Sequence, residues 1–399
     1  MATTPAPLQV NHRVHDLDAM RGFALLGIFV VNITFMASAY PGNLVDDPAF
    51  ASPLDDAARF SINALFSMKF YLLFSFLFGY SFVLQMDAAR RAGRDFAPRM
   101  LRRILGLFVI GIAHIVLLYG GDILTTYAIV GLILLAMYRA RDIVALRTAF
   151  GIYVFVLISL VASAIFVDNS AFMPERGEAL ANAASQTQDM LGPPADIIQH
   201  NLSGLELLFL QAISLQGPTA LAMFLLGMVA ARRKVFTGLN GSEPILRHIQ
   251  LIGYAVGLTG GVAYAAIGAY TSPWATALSV ATAPFLTAAY IATLVRTLHS
   301  QRFSWVQRAL APAGRIALTN YLAQSMFGIA LFTGVGLGLA GEVSPPLLIV
   351  LAFALFALQV TVSAWWLRRH RYGPAEYLLR GLTNWKRPTK SGTDSLMKR

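Results

Sequence analysis

His114 and Asp122 are residue types that can do acid–base chemistry, and they flank the short turn Tyr119-Gly120-Gly121. A glycine turn between two apolar runs predicts a tight helical hairpin that brings both side chains to one point. A carboxylate beside an imidazole fixes its tautomer and raises its basicity. The pair is therefore a candidate general base for a hydroxyl or an amine. The same pair could instead pin the hairpin as a structural contact. Asn32 and Lys69 also interrupt apolar runs. Lys69 invites pairing with Asp122 or another carboxylate, or a direct chemical role. Further on, Gly314-Arg315-Ile-Ala-Leu-Thr319-Asn320-Tyr321-Leu-Ala-Gln324-Ser325 puts Asn320 and Gln324 on one helical face. Tyr321 and Ser325 fall on the adjoining face. Such a stripe faces protein or a watery cavity rather than lipid, as interhelical hydrogen bonding or as the wall of a path.

Membrane helices must position these groups. The chain has 399 residues, 56% hydrophobic and 13% charged, where a soluble domain carries about 25% charged residues. Apolar runs long enough to cross a bilayer recur along its length. This predicts an all-α polytopic integral membrane protein with about ten transmembrane helices. They fall roughly at 22–38, 61–86, 101–119, 122–138, 146–167, 208–231, 248–270, 274–296, 314–336 and 346–367. With the N-terminus in the cytoplasm, only Arg59, Lys69 and Arg176 of the 31 basic residues fall outside the cytoplasmic segments. The opposite loops carry Asp46, Asp47, Asp55, Asp56, Glu175, Glu178, Asp189 and Asp196. The positive-inside rule then puts both termini in the cytoplasm. The net charge of +11 is thereby an orientation signal and not a nucleic-acid footprint. Membrane lipids are the implied surroundings.

With this topology Asn32 lies about 9 Å, Lys69 roughly 12 Å and His114 roughly 8 Å below the outer surface, and Asp122 opens its span there. Four polar groups from four spans thus share the outer half of the membrane. Asp18 and Arg21, three apart on one helical face, sit at the cytoplasmic mouth of the first span as an anchor or as the entrance to a polar path.

The organisation is one membrane domain over 1–399. Residues 1–167 form a five-helix half with the candidate site, 168–207 an outer loop with short helical pieces, and 208–367 a second five-helix half. A basic cytoplasmic tail occupies 368–399. Gly217-Pro218 predicts a break between an interfacial helix and a span. Pro374 opens a short helix whose Tyr377, Leu378 and Leu379 could lie on the membrane surface. Residues 22–35 followed by Ala37-Ser38-Ala39 mimic a signal peptide, but the apolar run starts late and reads as a retained span. There are no cysteines, hence no disulfides and no thiolate metal site. No Walker loop or HExxH motif is present, and no metal site is expected. A transferase between cytoplasm and outer face, a transporter of a small polar or anionic solute, and a non-catalytic membrane protein all fit these features.

Five segments carry a family resemblance. They are Leu17-Asp18-Ala-Met-Arg21-Gly22-Phe-Ala-Leu-Leu-Gly27, Lys69-Phe70 through Phe78-Gly79, His114 through Gly121-Asp122-Ile123-Leu124-Thr-Thr-Tyr127-Ala128, Gly314-Arg315-Ile-Ala-Leu-Thr319-Asn320-Tyr321, and Arg371-Tyr-Gly373-Pro374-Ala-Glu376-Tyr. In this order they resemble the YeiB family of bacterial membrane proteins, which end in the domain of unknown function 418. The first span is also similar, more distantly, to the transmembrane acyltransferases typified by heparan-alpha-glucosaminide N-acetyltransferase. These share an aspartate, an Arg-Gly, an apolar run and an asparagine eleven residues after the arginine, as Arg21 and Asn32 do here.

The resemblance implies a homodimer in the bacterial cytoplasmic (inner) membrane, and an acyltransferase with Asn32 in its active site. Acyl-CoA or acetyl-CoA would enter from the cytoplasm as donor. The acceptor would be an extracytoplasmic hydroxyl or amine of a glycan, lipid or peptide. Those enzymes place a catalytic histidine in the loop after the asparagine, whereas residues 33–60 here contain none. On this reading His114 serves as base from another helix, Asp122 orients it, and Asn32 positions the thioester carbonyl. Lys69, Arg21, Asp18, Arg315, Asn320, Tyr321, Gln324 and Ser325 would bind substrate, with Arg21 and Arg315 drawing in the nucleotide phosphates.

Overall fold

A computed structural model describes residues 9–167, 175–236 and 243–384. Residues 168–174 of the expected outer loop and 385–399 of the basic tail lie outside the described residues. Every regular element described is helical. In a membrane each backbone N–H and C=O must find its partner within its own segment, so long apolar runs fold this way. The helices are α1 (Gln9–Ala37), α2 (Pro53–Leu65), α3 (Lys69–Arg91), α4 (Phe96–Leu117), α5 (Leu124–Met137), α6 (Asp142–Phe166), α7 (Arg176–Met190) and α8 (Pro194–Ser203). They continue as α9 (Leu205–Gln211), α10 (Gly217–Arg232), α11 (Glu243–Ala266), α12 (Pro273–Leu298), α13 (Ser304–Arg315), α14 (Ala317–Phe332), α15 (Pro345–Leu367) and α16 (Pro374–Asn384).

Among the described residues, eight stretches are long and apolar enough to cross a membrane: α1, the α2–α3 run, α4, α6, the α8–α10 run, α11, α12 and α15. The expected spans at 122–138 and 314–336 are present as α5 and α14, but with only 14 and 16 residues. α5 starts late because residues 118–123 form the turn that carries Asp122. α14 is set off from α13 by a break at Ile316, with φ −114° and ψ 46°.

Helix α1 runs against α3, α13, α14 and α15, while α10 lies against α3, α5 and α6. The two halves of the chain therefore pack through each other. The crossing of α1 and α13 is the closest point. A Cβ on Gly314 would overlap the Asp18 carbonyl oxygen, and one on Gly22 would overlap the Leu310 carbonyl. Without a strong hydrophobic drive between helices in lipid, such small residues gain stability by letting backbones touch. This accounts physically for the glycines beside Arg21 and Arg315.

The expected break at Gly217-Pro218 takes a different form. Residues Ala212–Gln216 make a π turn, and α10 continues directly from it. Pro218 has no N–H to give. The wider turn lets the Gly217 N–H reach the Ala212 carbonyl, so the helix continues past the proline.

The C-terminal helix α16 is docked, not merely laid on a surface. Leu379 is buried beside Gly106 of α4, while Leu378 is exposed. Arg102 Nε donates to the Thr383 carbonyl at 3.0 Å. Glu376 accepts from the backbone N–H groups of Leu318 and Thr319 and from the Thr319 hydroxyl, at 2.8, 3.2 and 2.6 Å. These N–H groups open α14 and have no partner within it. A carboxylate at that point satisfies them and complements the helix dipole. The Gly373–Tyr377 and Gly314–Tyr321 motifs, distant in sequence, are thus one joint.

Candidate active site

Helix α4 ends with His114 in its last turn, and the chain reverses through Tyr119-Gly120-Gly121 into Asp122. Imidazole Nδ1 stands 2.9 Å from Asp122 Oδ1, and neither side chain has measurable solvent exposure. The hairpin does bring the two together. The ring N–H is not directed along that line, so the contact is a close pairing without an aligned hydrogen bond. The other carboxylate oxygen, Oδ2, accepts from the Thr125 N–H at 2.7 Å and the Thr125 hydroxyl at 2.9 Å. Asp122 thereby caps the start of α5 and is fixed in place by it.

On its far side the imidazole meets α14. Nε2 lies 2.8 Å from Ser325 Oγ, and both residues are 1% exposed. A serine hydrogen-bonded to the imidazole and an aspartate close against its other nitrogen thus make one buried row, contributed by α14, α4 and the turn before α5. Tyr321, one turn earlier on α14, lays its ring against the imidazole with centroids 5.0 Å apart. Its hydroxyl accepts from the Ile123 N–H at 3.4 Å and donates to no described residue. Tyr119 closes another edge at 6.3 Å. Gly111 lets the turn approach α4, since a Cβ there would lie 2.7 Å from Thr125 and 3.0 Å from Asp122 Oδ2.

The polar stripe on α14 divides along its two faces. Asn320 Nδ2 donates to the Ala313 carbonyl and to Ser363 Oγ, both at 2.9 Å. Gln324 Nε2 donates to Gln359 Oε1 at 3.1 Å, and Gln359 Nε2 donates to the Asn320 carbonyl at 2.9 Å. This face is interhelical hydrogen bonding between α14, α13 and α15. Tyr321 and Ser325 alone turn toward His114.

Lys69 does not join this group. It is 1% exposed, donates to the Asn63 carbonyl at 3.0 Å and lies over the Tyr264 ring at 5.4 Å. No described carboxylate pairs with it, so the expected ion pair with Asp122 is replaced by a carbonyl and an aromatic face. The reason is local. Met68 takes φ 71°, which breaks the α2–α3 run and leaves α3 starting at Lys69. The lysine is held there by α2 and α11. Asn32 is partly buried, and its amide makes no hydrogen bond with any described residue. The α1 residues around it, Phe29 and Ile33, belong to the same apolar cluster that Tyr119 packs against.

At the other end of α1, Arg21 pairs with Asp18 and donates to Ser81 Oγ at 2.6 Å. Arg103 and Arg99, one turn apart on α4, stand within electrostatic reach of Arg380 on α16, and Arg103 also of Arg21. Neither Arg99 nor Arg103 has a hydrogen bond to a described residue. Arg315 is exposed and donates to the Arg371 carbonyl at 3.2 Å. The result is a partly buried group of guanidinium ions in which Asp18 pairs with Arg21 and Glu376 stands within electrostatic reach of Arg103. Among the described residues no three histidine or acidic side chains converge on a metal position. Two apolar grooves, of about 450 and 690 Å³, run beside α11 and are lined by none of these residues.

Ser325 in this row is the finding that residue types alone understated. Its signal was the spacing from Tyr321, which sets both on one face, but which helix that face meets is decided by packing.

Residues 230–386 match the family described as "Protein of unknown function (DUF418)". The chain is 30% identical over 394 residues to the uncharacterized protein YxaH of Bacillus subtilis strain 168, covering 94% of this chain and 96% of that protein. It is 28% identical over 394 residues to the uncharacterized protein YeiB of Escherichia coli strain K12, covering 92% of this chain and 95% of that one.

Proposed function

The chain belongs to the YeiB-like, DUF418-bearing family of membrane proteins, and from that premise we propose that it is a transmembrane acyltransferase. It moves an acyl group from acyl-CoA or acetyl-CoA to a hydroxyl or amine on the opposite face of the membrane. The observation that carries this reading is the buried contact of His114 with Ser325 on one side and Asp122 on the other. An imidazole held between a hydroxyl and a carboxylate is built to take a proton from an oxygen and give it to a leaving group. Asp122 favours the tautomer with its proton on Nδ1, leaving Nε2 as the base.

Donor binding is supported by charge. The guanidinium group of Arg21, Arg99, Arg103 and Arg380, with Arg315 nearby in sequence to α14, offers sites for the phosphates of a coenzyme A. Asn32 keeps its amide free to hold an acyl carbonyl. On this reading the shorter apolar helices α5 and α14 add to the eight long ones to give about ten crossings, with both termini and the arginine-rich end in the cytoplasm of a bacterium and the acceptor outside. The active form would be a homodimer in the inner membrane.

The test is thermal unfolding of the purified protein with coenzyme A and acetyl-CoA. A ligand that binds the folded state at 100 times its Kd adds about 2.7 kcal/mol, which raises the midpoint by several degrees. No shift at saturating acetyl-CoA, with an anionic lipid as positive control, removes the donor from this reading.

A further inference from the structure

We propose that Ser325 is a covalent nucleophile that carries the acyl group as an ester between donor and acceptor. The inference rests on the acyltransferase reading and deepens it. A direct transfer needs only His114 and an acceptor hydroxyl. Here, however, the hydroxyl already in contact with the base is the protein's own. Ser325 Oγ lies 2.8 Å from His114 Nε2, and His114 Nδ1 lies 2.9 Å from Asp122 Oδ1, which Thr125 holds from behind. This is the order nucleophile, base, orienting carboxylate by which weak hydroxyls are activated. A serine placed only to hold a helix would satisfy itself on a carbonyl one turn back, as Thr333, the residue that ends the same helix, does on Ile329. Ser325 makes no such bond.

In the first half-reaction Ser325 Oγ attacks the thioester carbonyl carbon and its proton passes to His114 Nε2. The tetrahedral species collapses with loss of the coenzyme A sulfur, which takes that proton from Nε2 and leaves as the thiol. An ester remains on Ser325. In the second, the acceptor hydroxyl or amine gives a proton to Nε2 and attacks the ester carbonyl. Ser325 Oγ departs and recovers the proton. No electrons change hands. Tyr321, with a hydroxyl proton given to no described residue, is the side chain on the imidazole that can hydrogen-bond the transient oxyanion. An ester intermediate also allows the donor to leave before the acceptor arrives, which suits substrates that come from opposite faces of a membrane.

The chain has no cysteine, so Ser325→Cys introduces a single thiol in this row. In the full-length protein this thiol should react with N-ethylmaleimide faster than an unperturbed thiol at pH 6, and Ser325→Cys with His114→Ala should lose that excess. The wild type incubated with p-nitrophenyl acetate or with radiolabelled acetyl-CoA should gain one acetyl group at Ser325 by peptide mapping. Ser325→Ala and His114→Ala should gain none, and Ser325→Ala should transfer acetyl at least about 10³-fold more slowly.

If acetyl-CoA is turned over and Ser325→Ala keeps that turnover, the covalent step is overturned and the acyltransferase reading survives. If p-nitrophenyl acetate acetylates Ser325 but acetyl-CoA is neither bound nor consumed, the nucleophile stands and the coenzyme A donor falls. A wild type that neither reagent labels, together with a Ser325→Cys thiol no faster than the His114→Ala control, overturns the inference outright.

Discussion

Ser325 Oγ and His114 Nε2 meet at 2.8 Å across 211 residues of chain. The contact depends on how α14 is held against α4, since no sequence-local bond joins them. Three devices set that position: the Glu376 cap at the start of α14, the Asn320–Ser363 and Gln324–Gln359 bonds along it, and the glycine approach on α4 that seats Asp122. Each can be tested apart from the chemistry.

Gly111→Val should separate Asp122 from His114. Its Cβ would sit 2.7 Å from Thr125 and 3.0 Å from Asp122 Oδ2, so α5 must draw back. Forcing atoms into a packed contact costs about 1–3 kcal/mol. The expected result is a lower midpoint in a circular-dichroism melt, with loss of the fast thiol reactivity of Ser325→Cys. A variant that melts with the wild type would show that the turn moves freely and that its place beside α4 is incidental.

Asn320→Leu should destabilise without altering Ser325, His114 or Asp122. It strips partners from the Ala313 carbonyl and Ser363 Oγ, and unsatisfied buried groups cost about 1–3 kcal/mol. Adding Ser363→Ala should restore part of the loss, because one orphaned group is then removed. A double variant no more stable than the single one would place the loss in packing alone. Melting curves of the four proteins complete the cycle.

How far the sequence reached can be read from these same residues. The His114–Asp122 contact was legible because a six-residue turn with two glycines leaves little choice of where its flanks go. The division of the α14 stripe into two faces was legible from its 3.6-residue period. Which helices those faces meet was not, since Gln359, Ser363 and His114 lie far away in sequence and lipid-facing and protein-facing apolar residues look alike. Among the described residues eight of the ten expected spans are long and apolar enough to cross a membrane, for a related reason. Hydropathy sees the apolar residues of α5 and α14, but not that a turn and the break at Ile316 shorten them. The partner of Lys69 was not legible because formal charge suggests a carboxylate, whereas a carbonyl and an aromatic ring also hold an ammonium.

Lys69→Met therefore becomes informative. A buried ammonium with a single carbonyl acceptor recovers little of its desolvation cost, and apolar replacements of buried charges are often neutral or stabilising. Methionine keeps the length and most of the packing. The expected midpoint equals or exceeds the wild-type value in detergent melts. A fall equivalent to more than about 3 kcal/mol, the range for breaking a buried pair, would mean that an anion partners Lys69 in the folded protein.

Glu376 gives the pH dependence. Burial raises its carboxyl above the ordinary 4.5, against the opposing bonds from Thr319 and Leu318. The folded protein thus holds the proton more tightly than the unfolded chain does. The stability this provides is complete below 4.5 and is lost as pH rises through the folded value, after which it stays flat. Glu376→Gln carries no titrating proton but keeps an oxygen for the Leu318 and Thr319 N–H groups. Subtracting its melting midpoint from that of the wild type should therefore give a difference that declines from pH 4.5 upward and then levels. A difference that grows with pH over the same range would mean that attraction between the carboxylate and the start of α14 outweighs burial, and the joint between the two C-terminal motifs would then be an ionic one.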